Sequence, residues 1–232
     1  MNLLSSTSVF GFYTLLSRVL GYLRDILIAI FLGTGVYADA FFVAFRIPNT
    51  FRRLFAEGIF NAAFIPSYTD SRLKSKNEGK EFADQVFNLL LFFLIFLILI
   101  IEIFTPFIVY IIAPGFYDNS EKFILATEFT RITFPFLLFV SLSSFLSGIL
   151  NTNNKFAAAA AAPIILNLVL IISLVISVYT NQNFAKNLSI GVTLSGILQF
   201  IILIFFTKKF YFPSIKLNFK IGRRIKHFFK KL

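Results

Sequence analysis

Cysteine is absent from the 232 residues and histidine occurs once, at His227. The chain therefore has no disulfide framework, no thiolate nucleophile, and no material for an imidazole metal cluster or a histidine-based triad. Tryptophan is missing too. Charge is scarce at 14% of residues, and acids are scarcer than bases, 11 Asp+Glu against 22 Lys+Arg for a formal +11. Conventional hydrolytic or metal chemistry has almost nothing to work with, so we expect neither an enzyme nor a bound cofactor. What fills the chain is apolar: 57% hydrophobic residues and a mean hydropathy of +0.82 are too greasy for a water-soluble domain of this length. The expectation is an all-α polytopic membrane protein, since only helices satisfy the backbone inside lipid when the apolar runs reach about 20 residues.

Six runs stand out. They cover about Val9 to Gly33, Asp39 to Tyr68 with Pro48 interrupting, Phe82 to Ala113, Phe123 to Leu150, Phe156 to Tyr179 and Leu188 to Phe206. The opening Met1 to Leu16 carries no positive charge and precedes no small-residue cleavage pattern, so it reads as mature protein rather than a signal peptide. Residues 1–207 then form one six-helix transmembrane lobe and 208–232 a basic tail. With both ends on one side, the inner segments hold Arg72, Lys74, Lys76, Lys80, Lys155 and the nine cations from Lys208 to Lys231, against Lys122 and Lys186 outside. That asymmetry places both termini in the cytoplasm. In the tail, Ile221, Ile225, Phe228, Phe229 and Leu232 recur at helical spacing among Arg223, Arg224, Lys226 and Lys230, an amphipathic pattern suited to membrane phospholipids or to an interlobe linker, and not to nucleic acid. His227 is a bystander there.

The informative anomaly is charge inside the first two runs: Arg18, Arg24, Asp25, Asp39, Arg46, Arg52, Arg53 and Glu57. An Arg at mid-bilayer costs roughly 2.5 to 3.5 kcal/mol even on the lenient insertion scale, so these groups must face one another, a partner or a water-filled cavity. At about 100° per residue, Asp39, Arg46, Arg53 and Glu57 share one stripe, and Arg18 shares another with Asp25. Arg24 and Arg52 point away from both and are left as the unpaired cations. Five Arg against three acids leaves an excess that buried structural ion pairs alone do not absorb. Guanidinium groups on neighbouring helices suit a bidentate grip on phosphate or diphosphate, with Ser17, Asn49 and backbone freed near Gly21 and Pro48 as further donors.

Other signals are structural or gating. Glu102, Glu128 and Arg131 suggest an interhelical salt-bridge cluster, and Pro106 and Pro135 suggest kinks. Ala157 to Ala162, Gly191, Ser195 and Gly196 offer small-residue packing faces, while Asn167 and Gln199 are candidate interhelical donors. The 34 Phe are read as lipid-facing and core filling.

Six strings carry a family resemblance: SRVLGYLRD (17–25), DAFFVAFRIPN (39–49), RRLFAEGIFNAAFIP (52–66), APGF (113–116), TRITFPF (130–136) and GILNT (148–152). In this order they closely resemble the MurJ (MviN) lipid II flippases of the multidrug/oligosaccharidyl-lipid/polysaccharide exporter superfamily. The resemblance implies alternating-access transfer of lipid II, the undecaprenyl-diphosphate-linked peptidoglycan precursor, across the bacterial inner membrane. It also implies two six-helix lobes around a V-shaped cavity, with two further helices forming a lipid groove. The family's diphosphate-binding arginines fall on Arg18, Arg24 and Arg52; Asp25, Asp39, Arg53 and Glu57 match positions near the cavity or its gates, and at Arg46 Lys would serve. Family members run to about twice this length, so the resemblance implies that this chain corresponds to the first of the two lobes. A truncated product or fragment, a separately encoded second lobe, and association of two copies are the expectations, in that order. Other readings are a superfamily exporter of another polyprenyl-linked glycan or a drug, and a lipid-binding or assembly module without flux. No GxxxxGK[ST] loop is present, so the membrane potential or an ion gradient is the expected energy source.

Overall fold

The apolar runs fold as helices. In the computed structural model, which describes residues 3–56 and 59–215 with side chains over 8–52 and 60–215, these are α1 (Leu3–Leu32), α2 (Val36–Ala56), α3 (Ile59–Lys74), α4 (Lys76–Ile112), α5 (Ser120–Thr133), α6 (Phe136–Thr152), α7 (Phe156–Thr180) and α8 (Phe184–Thr207), with a 3₁₀ turn at Pro114–Phe116. No strand occurs among the described residues. The expectations for the amphipathic tail and His227 lie outside the described residues, as do the side chains of Arg53 and Glu57.

Polar residues set the helix ends. Ser75, Asn119 and Asn183 each accept a hydrogen bond from a backbone N–H three residues on, at 3.1, 3.0 and 3.2 Å, satisfying donors that the first turns of α4, α5 and α8 leave open. Gly33 at φ 63° and Gly35 at φ 133° reverse the chain between α1 and α2, a conformation that side chains resist. Pro48 does not interrupt its run: it is buried inside α2. Pro135 does more than kink, since α5 ends at Thr133 and α6 begins at Phe136. Among the described residues, four stretches are long and apolar enough to cross a membrane: Lys76–Ile112, Ser120–Thr152, Phe156–Thr180 and Phe184–Thr207. The two charged runs fold as α1 and as the pair α2 and α3, outside those four.

Packing runs through a chain of neighbours. α1 lies along α7, α7 along α8, α8 along α6, while α2 packs on α5 and α3 on α4. α1 and α2 barely touch. The small residues work as expected: a Cβ on Gly191 would collide with the Ser173 hydroxyl, and one on Gly196 would sit 2.8 Å from Phe136, so α8 approaches α7 and α6 closely. Phe64 anchors an aromatic core, with its ring 4.8 Å from Phe145, 5.7 Å from Phe60 and 5.5 Å from Tyr68. Beyond α8 the chain folds back onto α4. There the Tyr211 hydroxyl and the Ser214 N–H donate to Asp84, while Asn88 donates to the Ser214 carbonyl. Burial, and then the Asp84 carboxylate, raise the pKa of the Tyr211 hydroxyl above its ordinary range.

Candidate functional site

Arg24 stands on the face of α1 that meets α7. Its Nε and Nη2 donate to Asp25 Oδ1 at 3.0 and 2.7 Å, and its Nη1 donates to Asn167 Oδ1 on α7 at 2.7 Å. Asn167 in turn donates from Nδ2 to the Ser17 carbonyl at 2.9 Å. A single amide therefore joins the cation to the backbone of its own helix about two turns earlier. The Arg24 side chain is 15% exposed and that of Asp25 64%, so the guanidinium is sunk and its counter-ion faces out.

This corrects the helical-wheel sorting. Arg24 is not unpaired, because a long guanidinium reaches the adjacent Asp25 although their Cβ directions diverge, whereas Arg18 and Asp25 stand two turns, about 10 Å, apart. Arg18 is exposed and makes no hydrogen bond or ion pair among the described residues. α1 also runs unbroken through Gly21, and α2 through Pro48, so neither residue opens the helix to free backbone donors.

On α2 the same logic applies. Asp39, in the first turn, pairs with Lys122 Nζ at 2.6 Å rather than with Arg46, because α2 packs on α5 and brings the start of α5 against it. Arg46, two turns further along, is exposed and makes no ion pair among the described residues. Arg52 is partly buried and donates from Nε to Asn49 Oδ1 at 2.8 Å, so it too is partnered.

Glu102, Glu128 and Arg131 make no direct ion pair with one another among the described residues. Glu128 pairs with Lys186 at the start of α8, at 3.0 Å. The exposed Arg131 and Glu128 line a notch of about 510 Å³ beside Pro106. Glu102 makes no salt bridge among the described residues, and its Oε1 is buried without a hydrogen-bond partner. Of the two donors expected within the bundle, Asn167 has found partners, while Gln199 Nε2 is buried without one. Lys122 and Lys186 were legible in the sequence only as loop charges, because what makes them ion-pair partners is the packing of α5 on α2 and of α8 beside α5.

The structure thus gathers Ser17, Arg24 and Asp25 with Asn167, gathers Asn49 with Arg52, and holds Asp39 on Lys122. It does not join the α1 and α2 groups through direct helix contact. Chemically these are two partly sunk guanidinium groups, each oriented by an amide oxygen, with the exposed Arg18 and Arg46 on the same two helices. No group of three or more His, Cys, Asp or Glu able to hold a metal ion occurs among the described residues.

Known proteins agree with one another on what this arrangement belongs to. The family profile described as lipid II flippase MurJ matches residues 28–232. The "Probable lipid II flippase MurJ" of Rickettsia prowazekii (strain Madrid E) is 40% identical over 218 residues, covering 93% of this chain and 43% of the relative. The protein of the same description from Rhizobium tropici is 43% identical over 204 residues, covering 86% and 38%. A solved structure described as lipid II flippase MurJ in an inward closed conformation superposes with a TM-score of 0.79 at 30% identity, over 96% of this chain and 46% of its own length. A solved structure described as a MOP superfamily transporter from Pyrococcus furiosus has the same fold, at TM-score 0.65 and 18% identity. This chain spans less than half the length of these relatives. It belongs to the lipid II flippase MurJ family.

Proposed function

We propose that this chain supplies the N-terminal lobe of a lipid II flippase of the bacterial inner membrane, in which Arg18, Arg24 and Arg52 hold the diphosphate of the lipid-linked peptidoglycan precursor. The observation that carries the reading is the Arg24 guanidinium. It is withdrawn from solvent and fixed by Asp25 and Asn167, one and a half turns from an exposed Arg18 that no acid neutralises among the described residues. A preoriented guanidinium beside a second, uncommitted one is suited to an anion with several oxygens, which two cations can grip from different sides. Ser17 and Asn49 contribute the nearby hydroxyl and amide.

In this reading α1 and the pair α2 and α3 are the first and second of six spans, with both ends of the chain on the cytoplasmic side. Asp25, Asp39, Arg46, Arg53 and Glu57 serve as ion pairs of the cavity or its gates, and Glu102, Glu128 and Arg131 steady or gate the opposite end. Translocation by alternating access belongs to the two-lobe transporter, driven by the membrane potential or an ion gradient.

The test is binding of a diphosphate lipid to the purified chain in detergent. Arg24→Ala and Arg52→Ala should each abolish measurable binding while leaving membrane insertion and helix content at the parent level. Parent-like binding in both variants would remove the site assignment. Loss of binding accompanied by loss of insertion would show a folding role instead.

A further inference from the structure

A second cationic site lies away from the residues described so far, where α3 ends, α4 begins and the chain returns after α8. Tyr68, Arg72, Lys76, Lys80, Lys209 and Tyr211 line a recess of about 320 Å³, and no acid is among its lining residues. It is built by packing rather than by chance crowding of a basic loop. Lys76 and Lys80 are one turn apart on α4, so they present their ammonium groups to one side. Gly79, between them, is buried, and a Cβ there would stand 3.0 Å from both Cα and Cβ of Arg72. Glycine lets α3 come close enough to set Arg72 beside the two lysines, and a side chain there would push Arg72 back by a few tenths of an ångström. Arg72 is held from behind by Asn153, to which its Nη1 donates at 2.5 Å. Lys209 is brought in by the returning segment that Asp84 and Asn88 tie to α4.

Two features point to a ligand. Lys76, Lys80 and Lys209 make no ion pair among the described residues, although they share one recess. Concentrating like charges in this way is unfavourable unless an anion offsets it. The second feature is Tyr68: the residue is 3% exposed, its ring is stacked on Phe64, and its hydroxyl, on the wall of the recess, has no hydrogen-bond partner among the described residues. The ring is held in the core while the hydroxyl reaches the open recess, where it is free to donate to a ligand. The first turn of α4, capped only through Ser75, adds the positive end of a 37-residue helix to the same place.

We propose that this recess binds a phosphate group, as carried by an anionic lipid headgroup at the membrane surface or by phosphate free in solution. Arg72, Lys76, Lys80 and Lys209 would surround the phosphate oxygens and the Tyr68 hydroxyl would donate to one of them. The site is independent of the Arg18, Arg24 and Arg52 assignment, shares no residue with it, and can be tested with those three intact.

The experiment measures binding of dioctanoyl phosphatidylglycerol, dioctanoyl phosphatidylcholine and inorganic phosphate to the purified full chain in a non-ionic detergent. Each cation near a phosphate is worth about fivefold in affinity, so Lys76→Gln/Lys80→Gln should weaken phosphatidylglycerol binding about 20-fold. Lys74→Gln/Lys155→Gln removes the same charge from exposed positions outside the recess and should change it less than about twofold. Tyr68→Phe keeps the stacked ring, and losing a hydrogen bond to a charged group should weaken binding about tenfold. Displacement of phosphatidylglycerol by excess inorganic phosphate would identify phosphate itself as the sufficient ligand. Failure of excess phosphate to displace it, with preference over phosphatidylcholine retained, would identify the lipid headgroup. Equal losses in the two double lysine variants, parent-like binding in Tyr68→Phe, or no preference for phosphatidylglycerol over phosphatidylcholine would each overturn the proposal.

Discussion

Asn167 is the residue on which the α1 site turns. Its amide oxygen takes one arm of Arg24 and its amide nitrogen feeds the Ser17 carbonyl, so one side chain satisfies a guanidinium and a main-chain acceptor of α1. Asn167→Leu keeps much of the volume but removes the acceptor of Nη1 on a partly buried guanidinium, leaving Asp25 as its remaining partner. We expect a loss of about 1 to 3 kcal/mol of stability, measured as a fall in melting temperature in detergent, together with weaker diphosphate-lipid binding. Unchanged melting in that variant would show the pair to be incidental. The sequence made part of this legible. An Asn in the middle of an apolar run must find a partner, which marked Asn167 as an interhelical donor, and Arg24 stood out for its depth. What it concealed was the acceptor half of the amide and the sideways reach of Arg24 to Asp25. A wheel treats side chains as short radial spokes, and arginine is neither short nor rigid. At Asp39 the wheel failed for a different reason, since the true partner, Lys122, is 83 residues away.

Among the elements, α8 shows most clearly how packing constrains sequence. Gly191 and Gly196 let it press against α7 and α6, and neither position has room for a side chain. Gly196→Val should destabilise the bundle by about 1 to 3 kcal/mol through overpacking against Phe136. Gly11→Val is the matched control, because nothing lies within 4 Å of a Cβ there; thermal unfolding of both variants in one detergent checks the difference. The segment after α8 makes a separate prediction. The raised pKa of Tyr211 means that the folded state keeps the phenol neutral, so its contribution is fully present below the ordinary tyrosine pKa of about 10 and drains away as pH rises above it. Amide exchange of residues 211–215 should therefore accelerate from about pH 10 upward, relative to α4, beyond the intrinsic increase. In Tyr211→Phe the segment should be looser already at neutral pH and lack the alkaline step. A parent protein whose segment holds firm through pH 11 would contradict this. The apolar runs located the helices but set their starts late, at Phe82, Phe123 and Leu188 where α4, α5 and α8 begin at Lys76, Ser120 and Phe184, because polar first turns capped by Ser75, Asn119 and Asn183 carry no hydropathy. Pro48 misled because proline inside a helix need not end it when its position is buried and supported.

For the whole molecule, the absence of cysteine becomes an experimental advantage. Single cysteines can be added without background, and the proposed orientation then has a direct test. Gln182→Cys, in the exposed turn between α7 and α8, should react with a membrane-impermeant maleimide from outside intact cells. Lys74→Cys, exposed at the end of α3, should react only after permeabilisation. The reverse pattern would invert the topology. All-helical architecture and membrane residence were plain from composition and run length alone. The order of packing was not, because apolar faces in a membrane bundle carry little pattern beyond small residues. Nothing local in the sequence says that α1 rests on α7 rather than on α2.

That arrangement has a mechanical consequence. Arg24 and Arg52 sit on helices that scarcely meet, and the gap between them is transmitted through α7, α8, α6 and α2 in turn. Like the jaws of a caliper joined only at the frame, the two cations change their separation whenever any joint along that route slides. Sliding at the joints beyond α7 leaves the hydrogen bonds of both cations intact, whereas sliding of α1 on α7 breaks the one from Arg24 to Asn167.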